Sequence, residues 1–175
     1  RIAANPGKWR LFYYLGFVHY SERKDYLAAA DAFERGSQIP GAHPWLKIMA
    51  AACRQKGGDI NTARYMWTNI YESTDDKMIK ETALNRLVAL RVDSDITYLE
   101  SLITQYRERF GVNPATWSQM SDAGMIRGIP ADPTGAPYTL MPDGRIEVRD
   151  PKSLPFITKG LPPGKAPLEY NPNAV

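Results

Sequence analysis

Residues 12–41 read FYYLGFVHYSERKDYLAAADAFERGSQIPG, and their spacing decides the fold class. Phe12, Leu15, Gly16 and His19 fall on one face of a helix. After a short polar turn, Tyr26, Ala29, Ala30, Phe33 and Gly36 fall on one face of a second. Gly16 lets one backbone approach its neighbour closely, and Ala29 leaves a hole for a large side chain. The pattern then returns. Pro6 and Pro40 are 34 positions apart, as are Asp25 and Asp59, Ala29 and Ala63, and Phe33 and Trp67. A helical pair recurring at that period predicts an all-α stack of helical hairpins.

These residues resemble the tetratricopeptide repeat (TPR) family. Its pattern of an aromatic residue, Leu-Gly and Tyr on helix A, then Ala, Phe, Ala and a closing Pro around helix B, is met by Phe12, Leu15-Gly16, His19-Tyr20, Tyr26, Ala29, Phe33, Gly36 and Pro40. Two departures stand out. His19 replaces Tyr, with Tyr20 one step late, so the turn holds an extra residue, and Gly36 replaces the late Ala. The resemblance implies a TPR-like solenoid with an inner groove for partner proteins.

Outward from this stretch, Asn5-Pro6-Gly7 reads as the turn before a helix, as Ile39-Pro40-Gly41 does one period later. A second repeat spans His43 to about Glu72: Trp45, Ile48, Met49 and Ala52 form its first stripe, Gly57-Gly58 breaks the helix, and Asp59 caps the next. A third pair follows. Met78, Ala83, Leu84, Leu87 and Leu90 supply one apolar face, Asp93 or Asp95 is expected to cap a further helix, and Ile96, Leu99, Ile103 and Tyr106 line that helix up to Gly111. The repeats are therefore expected over 1–111, with a capping helix over 112–128 carrying Trp117, Met120 and Met125.

Composition changes after Gly128. Tyr138 and Leu140 on one arm, Ile146 and Val148 on the other, and Pro142-Asp143-Gly144 between them predict a β-hairpin over 129–150. Its first residues, DPTGAPY at 132–138, are similar to the Asp-Pro-x-Gly-x-Pro-Tyr turn near the C-terminal end of type II secretion pseudopilins. Residues 151–175 hold six prolines and no helical period, which predicts an extended arm. Phe156, Ile157, Leu161, Leu168 and Tyr170 stand along it as single anchors, and the arm is expected to lie on a neighbouring subunit.

A chain of 175 residues buries roughly 70% of the surface of its unfolded form. The 22 basic and 19 acidic side chains are scattered and leave a net charge of +3, too mild to point to nucleic acid. No run reaches the roughly 18 apolar residues of a membrane span. One cysteine allows no internal disulfide.

Groups for chemistry are few. His19 holds a packing position, and His43 stands at a helix start. Cys53 lies ten residues from His43 on the same expected helix, about 15 Å along its axis, too far for a nucleophile–base pair. No His or Cys spacing suits a metal, although Asp122, Asp132 and Asp143 bring oxygen ligands to the hairpin region. No enzyme activity and no cofactor are expected. By position, the TPR resemblance places Arg10, Tyr13, Phe17 and Tyr20 on the groove, then His43, Leu46, Ala50, Cys53 and Arg54 from the second repeat. The expected function is protein binding, as a scaffold or accessory subunit. The competing expectations are a structural subunit of a membrane-bound complex in a bacterial cell envelope, tethered by an anchor upstream of Arg1, and a substrate-presenting domain beside an enzyme.

Overall fold

A computed structural model describes residues 7–165. It is mostly helical, with one small antiparallel sheet among the described residues. The described residues form two compact units, one up to Leu84 and one from Asn85.

The first unit opens with α1 (Trp9–Phe17), a π-helical turn (Val18–Glu22) and α2 (Tyr26–Ser37), followed by α3 (Trp45–Lys56) and α4 (Ile60–Ser73). The extra residue between the first two helices is absorbed by the wider π-helical turn, and Lys24 then takes a left-handed conformation (φ 55°). Asp25 caps α2 by accepting the Ala28 N–H at 3.0 Å, and Asp59 caps α4 by accepting the Thr62 N–H at 3.3 Å. These caps, 34 residues apart, start equivalent helices. α2 packs on α1 and on α3, and α3 packs on α4. Ala29, Phe33, Ala63 and Trp67 are completely buried.

Three expected core positions differ. Leu15 is 46% exposed on the outer side of α1. Met78 and Leu84 are exposed as well, because the third pair of helices does not form. In its place runs one helix, α5 (Lys77–Phe110), of 34 residues. Asp76 starts it by accepting the N–H groups of Met78 and Ile79 at 2.8 and 3.1 Å. No Gly or Pro interrupts it before Gly111, whose φ of 76° ends it. Asp93 and Asp95 do not cap a new helix. Asp95 pairs with Arg91 one turn back at 2.8 Å, and the Asp93 carboxylate accepts the Thr158 and Lys159 N–H groups at 2.9 Å. The second compact unit begins at Asn85, within α5.

The second unit gathers four stretches around one core. Ala89, Val92, Ile96, Leu99 and Ile103 of α5 meet Trp117 and Met120 of the short α6 (Trp117–Asp122), then Tyr138, Ile146 and Val148 of the hairpin, and finally Leu154 and Ile157. α6 is thus part of this core. The hairpin pairs β1 (Thr139–Leu140) with β2 (Ile146–Glu147), Leu140 opposite Ile146, and Gly144 supplies the left-handed turn residue (φ 83°). The indole N–H of Trp117 donates to the Tyr138 carbonyl at 2.8 Å.

Candidate partner-binding surface

Four ring side chains of the first unit form a half-buried cluster. Phe17 stacks on Trp45, with ring centres 5.9 Å apart and planes 12° off parallel. Tyr13 packs against both Phe17 and Trp45, at 4.9 and 5.7 Å, and Trp9 meets Tyr13 edge-on at 6.4 Å. All four rings keep part of their surface open. Helical spacing explains the cluster: positions 9, 13 and 17 of α1 form one row, which meets the first residue of α3. Arg10 is exposed beside it, its guanidinium 5.5 Å from the Trp9 ring centre.

The π-helical turn turns Tyr20 toward the end of α3. Lys56 lies 5.2 Å from the Tyr20 ring centre and 4.9 Å from that of Tyr26, and its ammonium donates to the Tyr20 hydroxyl at 3.4 Å. Arg54 closes this side against Asp31, Glu34 at 3.0 Å and Asp59 at 3.6 Å. Burial works against its charge, but the Glu34 and Asp31 carboxylates more than offset it and hold its pKa above the ordinary value. Arg54 ties α2, α3 and the α4 cap together, so its two terminal nitrogens already face carboxylates of this chain.

The other residues expected on the groove divide differently. His43 is exposed, and its Nδ1 accepts the Trp45 N–H at 3.2 Å, which satisfies one free donor at the start of α3. Leu46, Ala50 and Cys53 are not surface residues; each is completely buried. The physical reason is register. Leu46, Ala50 and Cys53 lie 34 positions after Phe12, Gly16 and His19, the packing row of the first helix and its turn, and the groove assignment had slipped by one residue: Tyr13, Phe17 and Tyr20 recur at Lys47, Ala51 and Arg54. Burial pushes the Cys53 thiol up from 9.0 to about 12, with nearby Lys56 opposing weakly.

The arm is corrected too. Ile157 is buried in the second unit, 2% exposed, and Leu154 beside it is 1% exposed. Phe156 and Leu161 are half-buried against the same core. Phe156 holds a left-handed backbone (φ 69°), and its ring lies 3.8 Å below the Arg86 guanidinium. The Gly160 carbonyl accepts the Val148 N–H at 2.9 Å, which extends the hairpin edge. Leu154 and Ile157 therefore pack on their own unit, where they complete a core that hairpin and helix leave open. Leu168 and Tyr170 lie outside the described residues.

The three hairpin-region aspartates do not converge on a cation. Asp132 is buried, and its Oδ1 accepts from the Thr134 N–H at 2.8 Å, the Thr134 hydroxyl at 2.6 Å and the Ala136 N–H at 3.3 Å. It organises the DPTGAPY turn. Asp143 pairs with Arg145 at 2.6 Å, which holds its pKa below the usual carboxylate value, and Asp122 is exposed. Among the described residues, no three His, Cys, Asp or Glu side chains gather as a metal site, and no helix is long and apolar enough to cross a membrane. A groove of about 620 Å3 on the second unit runs between α6 and β1, lined by Thr116, Trp117, Ser121, Ile129, Tyr138 and Leu140. It offers rings and hydroxyls, and no carboxylate, amine or imidazole. Sequence reasoning missed it, since it forms from residues that no single period connects.

Comparisons with protein-family models, with curated proteins and with solved structures return no match.

Proposed function

We propose that the chain is a TPR-like repeat protein that binds another protein, as a scaffold or accessory subunit of a larger assembly. The observation that carries this reading is the ring cluster of Trp9, Tyr13, Phe17 and Trp45, half-open on the first unit with Arg10 beside it. Large rings held rigid by their neighbours bury much surface at little cost in rotamer freedom, and aromatic and Arg side chains dominate the energetics of protein interfaces. Tyr20 with Lys56 forms a separate polar pair at the far end of α3. The TPR-like solenoid belongs to this proposal and is supported by the equal offsets of the caps and the buried pairs.

The test is capture from the native source by the full chain, with partners identified by mass spectrometry. Arg10→Ala removes an exposed group beside the cluster and leaves the packed rings in place. The expected result is loss of a specific partner at an unchanged thermal midpoint. Equal capture by both proteins would refute this surface as the binding site.

A further inference from the structure

From the N-cap of α1 to the end of the π-helical turn, Lys8, Leu11, Leu15, Val18 and Glu22 recur at alternating spacings of three and four. That spacing lines side chains up as a seam for a second helix. Glu22 stays close to the seam because it stands one turn after Val18 on either helical pitch. Tyr14 flanks the seam between Leu11 and Val18. Leu11, Tyr14, Leu15 and Val18 are 69%, 63%, 46% and 44% exposed. Lys8 and Glu22 are exposed at its two ends, and neither makes an ion pair among the described residues. The seam is separate from the ring row of Trp9, Tyr13 and Phe17 and from Phe12 and Gly16, which pack on α2; these take the other faces of the helix.

We propose that this face joins two copies of the chain, their α1 helices antiparallel across a two-fold axis near Leu15. The order of the seam selects this occupant: a cation, three apolar residues, then an anion. Turned end for end, that order is its own complement. In an antiparallel pair Leu11 of each copy meets Val18 of the other, Tyr14 and Leu15 meet across the axis, and Lys8 of each copy faces Glu22 of the other. A parallel pair would instead set lysine against lysine and glutamate against glutamate, which electrostatics disfavours. Lys8 and Glu22 are 14 positions apart, about 21 Å along a helix. A contact of one helix face that long falls at the small end of specific interfaces, so the dimer is weak and reversible. The inference rests on the exposed seam and not on partner binding through the ring cluster.

The test is sedimentation of the full chain from about 1 μM to about 1 mM, a span that covers weak association. The expected result is a monomer–dimer equilibrium that Leu15→Glu abolishes while the thermal midpoint of the dilute protein is kept. Lys8→Glu or Glu22→Lys alone should raise the dimer Kd at least about fivefold, because the two-fold axis makes each change act twice, and the two together should restore the parent value. Leu15→Cys should give a disulfide-linked dimer under mild oxidation. Leu11→Cys should not, since its counterpart stands about 10 Å away along the antiparallel helix. The native Cys53 is completely buried and does not compete. A chain that stays monomeric throughout, or a dimer indifferent to Leu15→Glu, would overturn the inference. So would a dimer that the single charge reversals leave unchanged, or one that links through Leu11→Cys. None of these results bears on capture of another protein through the ring cluster, so the two readings fail separately.

Discussion

A Cβ added at Gly16 would stand 2.6 Å from the Phe33 ring, closer than any methyl group can approach. The α1–α2 contact thus depends on one missing atom, and Gly16→Ala should force the ring or the helix to shift. Ala29 and Ala63, completely buried at equivalent places, are limited from the other side. Ala29→Leu or Ala63→Leu should destabilise by about 1–3 kcal/mol through overpacking, measured by urea unfolding at constant m-value. Cys53 gives a pH prediction. Its thiol ionises near 9.0 in the unfolded chain and about 12 in the folded one, so above pH 9 only the unfolded chain releases this proton. The contribution of Cys53 to stability is whole below pH 9 and is lost as the pH climbs toward 12. Cys53→Ala should flatten that part of the stability profile, and in the native protein at pH 8 iodoacetamide should leave the thiol unmodified until the chain unfolds.

Elements whose signals are local were legible in the sequence. Asp25 and Asp59 announce α2 and α4 through capping, Pro142-Asp143-Gly144 sets the hairpin turn, and Gly111 ends α5. Elements decided by distant partners were not. Asp93 and Asp95 look like caps to anyone reading along the chain, yet the Asp93 carboxylate is claimed by Thr158 and Lys159, 65 and 66 residues away. The candidate surface shows the same split. Tyr13, Phe17 and Tyr20 follow from helical spacing, whereas Leu46 and Cys53 were misplaced by one residue against the 34-residue offset, which carries Tyr13 and Tyr20 to Lys47 and Arg54. The continuity of α5 can be measured. Amides from Leu90 to Thr97 should exchange as slowly as those one turn away on either side. A fast-exchanging gap at 93–95 would indicate the break that the capping residues suggest. Asp93→Ala should speed exchange at Thr158 and Lys159 and leave α5 itself protected.

At the scale of the molecule, the two units differ in how they are built. The first is made from neighbours in sequence, each helix packing on the next, which is why a single period describes most of it. The second closes only when residues 154–157 return to α5, and no period announces that. Its core lacks a side without Leu154 and Ile157, each of which contributes roughly 1.5–3 kcal/mol by leaving water. Their burial also holds Phe156 between them in a left-handed conformation that costs about 1–3 kcal/mol in a non-glycine residue. A chain ending at Asp150 loses both anchors, the Gly160 carbonyl that pairs with Val148, and the two amides that satisfy Asp93. Three losses of this kind exceed a large part of the 5–15 kcal/mol that separates folded from unfolded states in ordinary domains. The truncated chain should therefore lose amide protection over residues 89–148 while α1 to α4 stay protected, with Trp117 moving into water. Leu154→Ala with Ile157→Ala in the full chain should reproduce much of that loss, at about 2–5 kcal/mol per site. Unchanged protection over 89–148 in the truncated chain would mean that helix, hairpin and α6 close the core alone, and that residues 151–165 rest on a finished surface.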